Sequence, residues 1–151
     1  MDNQKLVRFL NQLLANYFVM YVKLHRYHWY IQSEHFFQLH DKFEEMYQMF
    51  ANDLDELAER ILTIHGRPFA TMEKFIKETT LTEANADNTV EEMINQLIED
   101  YQQMIYEIDE EGIKQALHVN DEPTIDLLVA FKKRLEKYMW MLNAFLGKSI
   151  I

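Results

Sequence analysis

Residues 25–60 concentrate side chains that can bind a transition metal. Four of the six histidines of the chain lie there. They are His25, His28, His35 and His40. Two carboxylates, Asp55 and Glu59, follow at a four-residue spacing. Imidazole and carboxylate together suit iron, manganese or zinc, so the ligand types do not choose among these metals. The chain has no cysteine, which excludes disulfides and thiolate metal sites.

Two long helices must position these ligands. Hydrophobic periodicity predicts one helix from about Asn3 to Ile31 and a second from about Glu34 to His65, with Ser33 as its N-cap. An α-helix rises 1.5 Å per residue, so His40 and Asp55, which are 15 positions apart, would lie about 22 Å apart along the axis. No single metal site can include both.

The ligands therefore fall into two partial sites. His28 precedes the turn near Ser33 and His40 follows it, so antiparallel helices would bring the two imidazoles to similar heights. Glu44 lies one turn beyond His40. The other partial site is Asp55 with Glu59, which share a helix face. A two-fold axis can place the histidine half of one chain against the carboxylate half of another, because an isologous contact exchanges the same two surfaces.

Two observations bear on this interpretation. Di-iron bundles that bind metal inside one subunit use Glu-x-x-His motifs, and no glutamate stands three positions before any histidine here. Those positions hold Val22, His25, Gln32, Phe37, Leu62 and Gln115. The alternative is that the histidines are packed or exposed rings and that Asp55 and Glu59 belong to a solvated helix face. Like charges at this spacing cost a few tenths of a kcal/mol, which a bound cation would remove.

The rest of the chain predicts an all-α four-helix bundle in a single domain, residues 1–151. A third helix begins with a capping box at Thr89 and Glu92 and runs to about Leu117. The fourth begins at Asp121, Glu122 and Pro123 and ends near Leu146. A short helix is expected at 71–78. The connection 66–88 is long enough to cross the bundle, so helices two and three could run parallel.

Composition narrows the functional classes. Only 3 glycines and 2 prolines in 151 residues favour long helices. The sequence MDNQKLVRFL has no signal pattern, and no apolar run approaches the roughly 20 residues that span a bilayer. A soluble cytoplasmic protein without membrane contact is expected. The net charge of −10 repels nucleic-acid phosphates and attracts cations.

Two segments, HRYHWYIQSEHFFQLHDKFEEMY and DLDELAERILTIHG, resemble the signature of the Dps mini-ferritins, the DNA-protection-during-starvation proteins of bacteria. The pattern is H-W, then F-x-x-L-H about eleven positions later, then D-x-x-x-E-R-I; MWMLNAFLG near the end also fits. The resemblance implies a ferritin-like four-helix bundle with a short extra helix in the long connection. It also implies assembly into a hollow dodecamer with tetrahedral symmetry.

The resemblance implies a di-iron ferroxidase centre at the two-fold interface. Its ligands would be His28 and His40 from one chain and Asp55 and Glu59 from the neighbour. Glu44 matches a position that helps to hold the second iron, and Trp29 is expected beside the centre. Hydrogen peroxide would oxidise Fe(II), ferric mineral would collect in the cavity, and oxidative damage would be prevented. Zinc or manganese can substitute for iron at such ligands.

The resemblance also implies acidic pores on the three-fold axes through which iron enters. Asp126 matches a pore position, and Asp121 and Glu122 lie nearby. The alternative is that all three cap the fourth helix and complement its dipole. A nucleoid-associated protein that protects DNA by direct contact is the competing function. MDNQK carries one lysine, unlike the lysine-rich tails of DNA-coating relatives, and this disfavours direct DNA binding.

Overall fold

The computed structural model describes residues 2–148, and every regular element in that range is helical. The elements in chain order are α1 (Gln4–Tyr30), α2 (Phe36–Thr63), α3 (Met72–Glu78), α4 (Val90–Glu107), a π-helical turn (Ile108–Gly112), α5 (Ile113–His118) and α6 (Glu122–Phe145). The predicted all-α bundle with a short helix in the long connection is confirmed. No helix within 2–148 is both long and apolar enough to cross a membrane.

Helices α1 and α2 form an antiparallel pair. At one end the Asn3 side chain donates a hydrogen bond to the Ile64 carbonyl oxygen (3.0 Å). At the other end His28 and His40 lie against each other. The start of α1 therefore packs beside the end of α2. Both helices bury a continuous apolar stripe because their leucine, phenylalanine and tyrosine residues recur at helical spacing.

Helix α4 is antiparallel to α1 and therefore parallel to α2. Lys23 pairs with Asp100, and Asn16, further back along α1, donates to Glu107, further along α4. The connection between α2 and α4 thus crosses the length of the bundle, as its length allowed. The Asn16 side chain holds this connection in place, because its Oδ1 accepts hydrogen bonds from the Thr79 hydroxyl and the Thr80 amide.

Helix α6 closes the bundle against α2. Asp121, just before α6, pairs with Arg60 near the end of α2, and Arg134 pairs with Asp53 in the middle. The Tyr138 hydroxyl donates to Glu45 nearer the start of α2. The order of these contacts makes α6 antiparallel to α2.

The third long helix was predicted to run without a break to about Leu117, and in the structure it is interrupted. It contains the π-helical turn Ile108–Gly112. At Gly112 a Cβ atom would overlap the ring of Phe9, so a glycine is required where α1 approaches this turn. π turns are rare and occur as single-turn bulges inside α-helices, and the sequence pattern did not indicate this one.

The predicted helix starts are confirmed at Thr89 and wrong at Ser33. Thr89 and Glu92 form the reciprocal capping box. Helix α2 instead begins at Phe36, after His35, whose side chain makes no capping bond. The Ser33 hydroxyl accepts a hydrogen bond from the His35 amide, two residues on, and this makes a local turn ahead of the helix.

The buried pair of Lys23 and Asp100 gives a test of the bundle. The two side chains are 1% and 8% exposed and their charged atoms lie 2.8 Å apart. Burial raises the pKa of Asp100, and the charge of Lys23 opposes that rise. Lys23→Ala leaves a buried carboxylate without its cation, so we expect it to lose about 3–5 kcal/mol of unfolding free energy in urea titrations.

The matched control is Lys114→Ala, which removes an exposed pair with Glu110 and should cost less than about 1 kcal/mol. Because the folded-state pKa of Asp100 lies above its unfolded value, the native state holds the extra proton, and stability falls as pH rises through that window. Without the charge of Lys23, burial raises the pKa of Asp100 further, so the loss of unfolding free energy in Lys23→Ala should be larger at about pH 7 than at about pH 5. Equal losses in the two variants would contradict this account.

Candidate metal centre

The histidine half-site consists of two imidazoles that hold each other in place. The rings of His28, near the end of α1, and His40, in the second turn of α2, stack with centroids 3.7 Å apart at an angle of 14°. Nδ1 of His28 lies 2.7 Å from the carbonyl oxygen of His40, and Nδ1 of His40 lies 2.8 Å from that of His28. A carbonyl oxygen only accepts, so both Nδ1 atoms must donate. In the neutral rings both Nε2 atoms then carry the lone pair that binds a metal.

Glu44 adds a carboxylate to this half-site. Its Oε1 lies 3.7 Å from Nε2 of His28. His28 is almost completely buried whereas the Glu44 side chain is half exposed. The two groups thus meet at the surface of the subunit, where a buried ring presents its nitrogen next to a solvated acid. The structure places the three residues His28, His40 and Glu44 together, as their spacing predicted.

An aromatic cluster that the sequence analysis missed lies behind the histidines. The ring of Tyr47 stands edge-on to His28 at 5.4 Å and stacks on His25 at 3.7 Å. Tyr21 contacts both Tyr47 and His25. Burial, and then the negative charge of Glu44, raise the pKa of Tyr47. A signal was available, because positions 40, 44 and 47 follow the i, i+4, i+7 spacing of one helix face.

Two further rings lie in this region. His25 is a packed ring whose Nδ1 lies 2.7 Å from the Tyr21 carbonyl oxygen. Trp29 lies beside the same cluster, with its ring 5.4 Å from that of His25. Its side chain is 67% exposed, so it forms the outer edge of the half-site.

The carboxylate half-site lies elsewhere on the same chain. Asp55 and Glu59 are exposed on the later part of α2. Helix α2 is unbroken from Phe36 to Thr63, so Asp55 lies about 22 Å along the axis from His40. One chain does not bring the two halves together. Within residues 2–148, no three histidine, aspartate or glutamate side chains form a group that could hold a metal alone.

Ion pairs fix the helix that carries the carboxylate half. The guanidinium of Arg134 donates two hydrogen bonds to Asp53, at 2.9 and 2.8 Å. Arg60, next to Glu59, donates to Asp121 at 2.8 Å and to the Thr124 hydroxyl at 2.9 Å. The bidentate pair of Arg134 with Asp53 restricts orientation as well as distance. This part of α2 is therefore held rigidly against α6.

The three predicted pore residues occupy different environments. Both carboxylate oxygens of Asp121 are engaged, since they accept from Arg60 and from the amide and hydroxyl of Thr124. Asp121 is thus the N-cap of α6. Glu122 and Asp126 are exposed on the first turns of that helix. Asp126 also lines an open groove of about 480 Å³ between α2 and α6, together with Glu59.

The helix order and the crossing connection define a ferritin-like bundle, and the family model of the ferritin-like domain matches residues 7–149. General stress protein 20U of Bacillus subtilis is 41% identical over 96% of this chain and 99% of that protein. DNA protection during starvation protein 2 of Bacillus anthracis is 41% identical over 97% and 99%.

Solved structures agree with the sequence matches. The crystal structure of a Dps protein from Bacillus brevis superposes with a TM-score of 0.93 at 38% identity, and the match covers 97% of this chain and 99% of that one. The chain belongs to the Dps family of ferritin-like proteins.

Metal binding tests the histidine half-site directly. Replacing either ring, in His28→Ala or His40→Ala, removes one nitrogen ligand and also the stacking partner of the other ring. We expect the affinity for Co(II) or Zn(II), measured by calorimetry on the assembled protein, to fall at least about tenfold in each variant. His118→Ala, an exposed histidine on α5, is the control and should bind as the wild type does. Unchanged affinity in all three would show that these rings are structural.

Proposed function

We propose that the chain is the subunit of a hollow, tetrahedral shell of twelve copies that oxidises Fe(II) with hydrogen peroxide and stores the ferric product. The whole chain, residues 1–151, would act as one ferritin-like domain. The observation that carries the proposal is the reciprocal hydrogen bonding of His28 and His40, which presents two Nε2 atoms at the subunit surface. Membership of the Dps family, whose relatives include DNA protection during starvation proteins, supports a role in stress protection.

The complete centre would form between two subunits. His28 and His40 of one chain, with Glu44 beside them, would face Asp55 and Glu59 of its symmetry mate. A two-fold contact repeats this exchange, so each dimer holds two centres.

An exposed apolar face supports a contact at this place. It flanks the histidine half and lies on α1 and α3. Its members line one groove and are 47–67% exposed: Val22, Trp29, Tyr30, Met72 and Ile76. Contiguous apolar surface of this kind marks an interaction site. A second copy that covers it would bring its own α2 close to the histidines.

The ligand set suits the oxidation of two ferrous ions side by side. Each ion gives one electron, and one peroxide takes up both electrons and two protons to yield two water molecules. No hydroxyl radical is released in this two-electron step. Glu59 would bind both ions, and His28, His40 and Asp55 would hold them in place. Few protein ligands, some of them exposed, suit a site that must release its ferric product. Zinc or manganese can compete for the same ligands.

Iron would enter through acidic pores on the three-fold axes. We assign Asp126 to the pore lining, with Glu122 at its rim. Asp121 would position the start of α6 beside the pore and would not bind iron itself, because its carboxylate accepts hydrogen bonds from Arg60 and Thr124. The groove that Asp126 shares with Glu59 offers acidic side chains beyond the pore. The net charge of −10 raises the local concentration of cations.

Protection of DNA would follow from the removal of iron and peroxide rather than from contact. A surface with this net charge repels the phosphate backbone unless a local basic patch intervenes. We therefore do not propose direct DNA binding.

Assembly is the first test. Twelve chains of 18.3 kDa give a particle of about 220 kDa, which size-exclusion chromatography with light scattering would measure. A monomer or an isolated dimer at micromolar concentration would contradict both the cavity and the pores.

Complementation tests the shared centre. Two double variants each remove one half of the centre: His28→Ala/His40→Ala and Asp55→Asn/Glu59→Gln. Each should oxidise iron with peroxide at least about tenfold more slowly than the wild type, as measured by the rise of ferric absorbance. When the two variants are co-expressed in equal amounts, random assortment gives intact histidines facing intact carboxylates at about one quarter of the centres. We expect about a quarter of the wild-type rate to return.

The control is each double variant expressed alone, in which the rate of iron oxidation should not return. If the mixed shells stay as inactive as their parents, the centre is not shared between subunits. If either double variant alone keeps the wild-type rate, the assigned residues do not hold the reacting iron.

A further inference from the structure

Phe36 contacts a candidate metal ligand although its own side chain cannot bind metal. It is the first residue of α2 and opens the motif F-x-x-L-H, which ends in His40. The two residues are four positions apart, so they lie on the same face of the helix. Their rings stack with centroids 4.8 Å apart at an angle of 20°. The first and last residues of the motif are therefore in direct contact.

The ring of His40 is enclosed on both faces. The His28 imidazole stacks on it at 3.7 Å between centroids. Two rings cannot stack on the same face of one imidazole, so His28 covers one face of His40 and Phe36 covers the other. The hydrogen bond from Nδ1 of His40 to the His28 carbonyl oxygen (2.8 Å) fixes which edge of the ring faces the backbone. The stacks oppose tilting of the His40 ring, and the hydrogen bond opposes a flip.

Contacts that do not involve the metal ligands hold Phe36 in place. Its amide donates a hydrogen bond to the Ser33 carbonyl oxygen (3.1 Å), in the turn that precedes α2. Its ring meets that of Phe37 nearly edge-on, with centroids 5.5 Å apart at 80°. The side chain is partly buried and packs against the hydrophobic core. The orientation of Phe36 is thus set by the start of α2.

The stack of Phe36 on His40 is stronger when metal is bound. A cation on Nε2 withdraws electron density from the imidazole, and an electron-poor ring is attracted by the negative face of a phenyl ring. An aliphatic side chain at the same place could fill space but would supply no such face. The contact therefore stabilises the metal-loaded state of His40 more than the empty state.

We propose that Phe36 is a positioning residue of the metal centre, which holds the His40 ring in its metal-binding orientation and so increases the affinity for metal. This inference rests on the proposed function, because it assumes that Nε2 of His40 binds a metal ion. It adds to that function a residue that acts only through His40.

The experiment measures Co(II) binding to the assembled protein by calorimetry and by visible absorption. The sites that count are those missing from His28→Ala/His40→Ala. Phe36→Leu keeps an apolar side chain but removes the ring, so we expect the affinity for Co(II) to fall about fivefold and the absorption bands to shift. Phe36→Tyr keeps the ring and should bind within about twofold of the wild type.

The kinetics of iron oxidation separate positioning from a general loss of structure. In Phe36→Leu the Fe(II) concentration that gives half the maximal rate should rise about fivefold, whereas the maximal rate should stay within about twofold because every metal ligand remains. The matched control is Phe131→Leu. It removes a buried ring that stacks on Tyr17 at 5.4 Å in the interior of the bundle, and it should change neither quantity.

An unchanged Co(II) affinity and spectrum in Phe36→Leu would overturn the proposal. So would an equal loss of affinity in Phe131→Leu or in Phe36→Tyr, because the effect would then not depend on the ring that stacks on His40. If the wild type binds Co(II) no better than His28→Ala/His40→Ala does, the proposed metal centre is itself wrong and the role of Phe36 fails with it. The behaviour of the wild type thus distinguishes the two failures.

Discussion

The reciprocal hydrogen bonds between His28 and His40 are the interaction on which the candidate centre depends. Each ring donates its Nδ1 hydrogen to the backbone of the other residue, so neither ring can turn without losing its hydrogen bond and the stacking contact between the rings. The carbonyl of His28 is also one of the last four of α1, which lack partners within the helix. The same bond therefore satisfies a helix end, fixes a tautomer and presents a metal-binding nitrogen. Because the rings are tied to backbone atoms, the α1–α2 packing sets the distance between the two Nε2 atoms.

The interior of the bundle explains why the candidate metal ligands lie at its edge. Tyr17 contacts Phe50 at 4.7 Å and Phe131 at 5.4 Å in the centre of the four helices. Tyr101 extends this cluster through Phe50. These rings fill the space in which a bundle with an internal di-iron site would place its acidic ligands. The carboxylates on α2 are exposed or paired with arginines of the same chain instead.

Much of the fold and half of the site could be predicted from the sequence because both follow helical spacing. The hydrophobic period of 3.6 residues predicted the long helices. The rise of 1.5 Å per residue predicted that His40 and Asp55, 15 positions apart on one helix, cannot share a metal in one chain. The spacing did not predict contacts made across helices. The stacking of Tyr47 on His25 joins α1 and α2, and the ring of Phe9 on α1 approaches Gly112 of the π turn closely. The N-cap at Ser33 failed for a related reason, because its hydroxyl satisfies a turn amide two residues on.

The two half-sites are held by different parts of the bundle, and this has a consequence for the proposed chemistry. The histidine half depends on the α1–α2 packing, whereas Arg134 and Arg60 hold the carboxylate half against α6. Neither half can adjust to the other inside one subunit, since about 22 Å of rigid helix separates them. Under the proposed function, an unassembled chain therefore cannot place two ferrous ions side by side, and paired oxidation begins only when a symmetry mate supplies the missing ligands. In the proposed function, assembly and peroxide chemistry are coupled in this way.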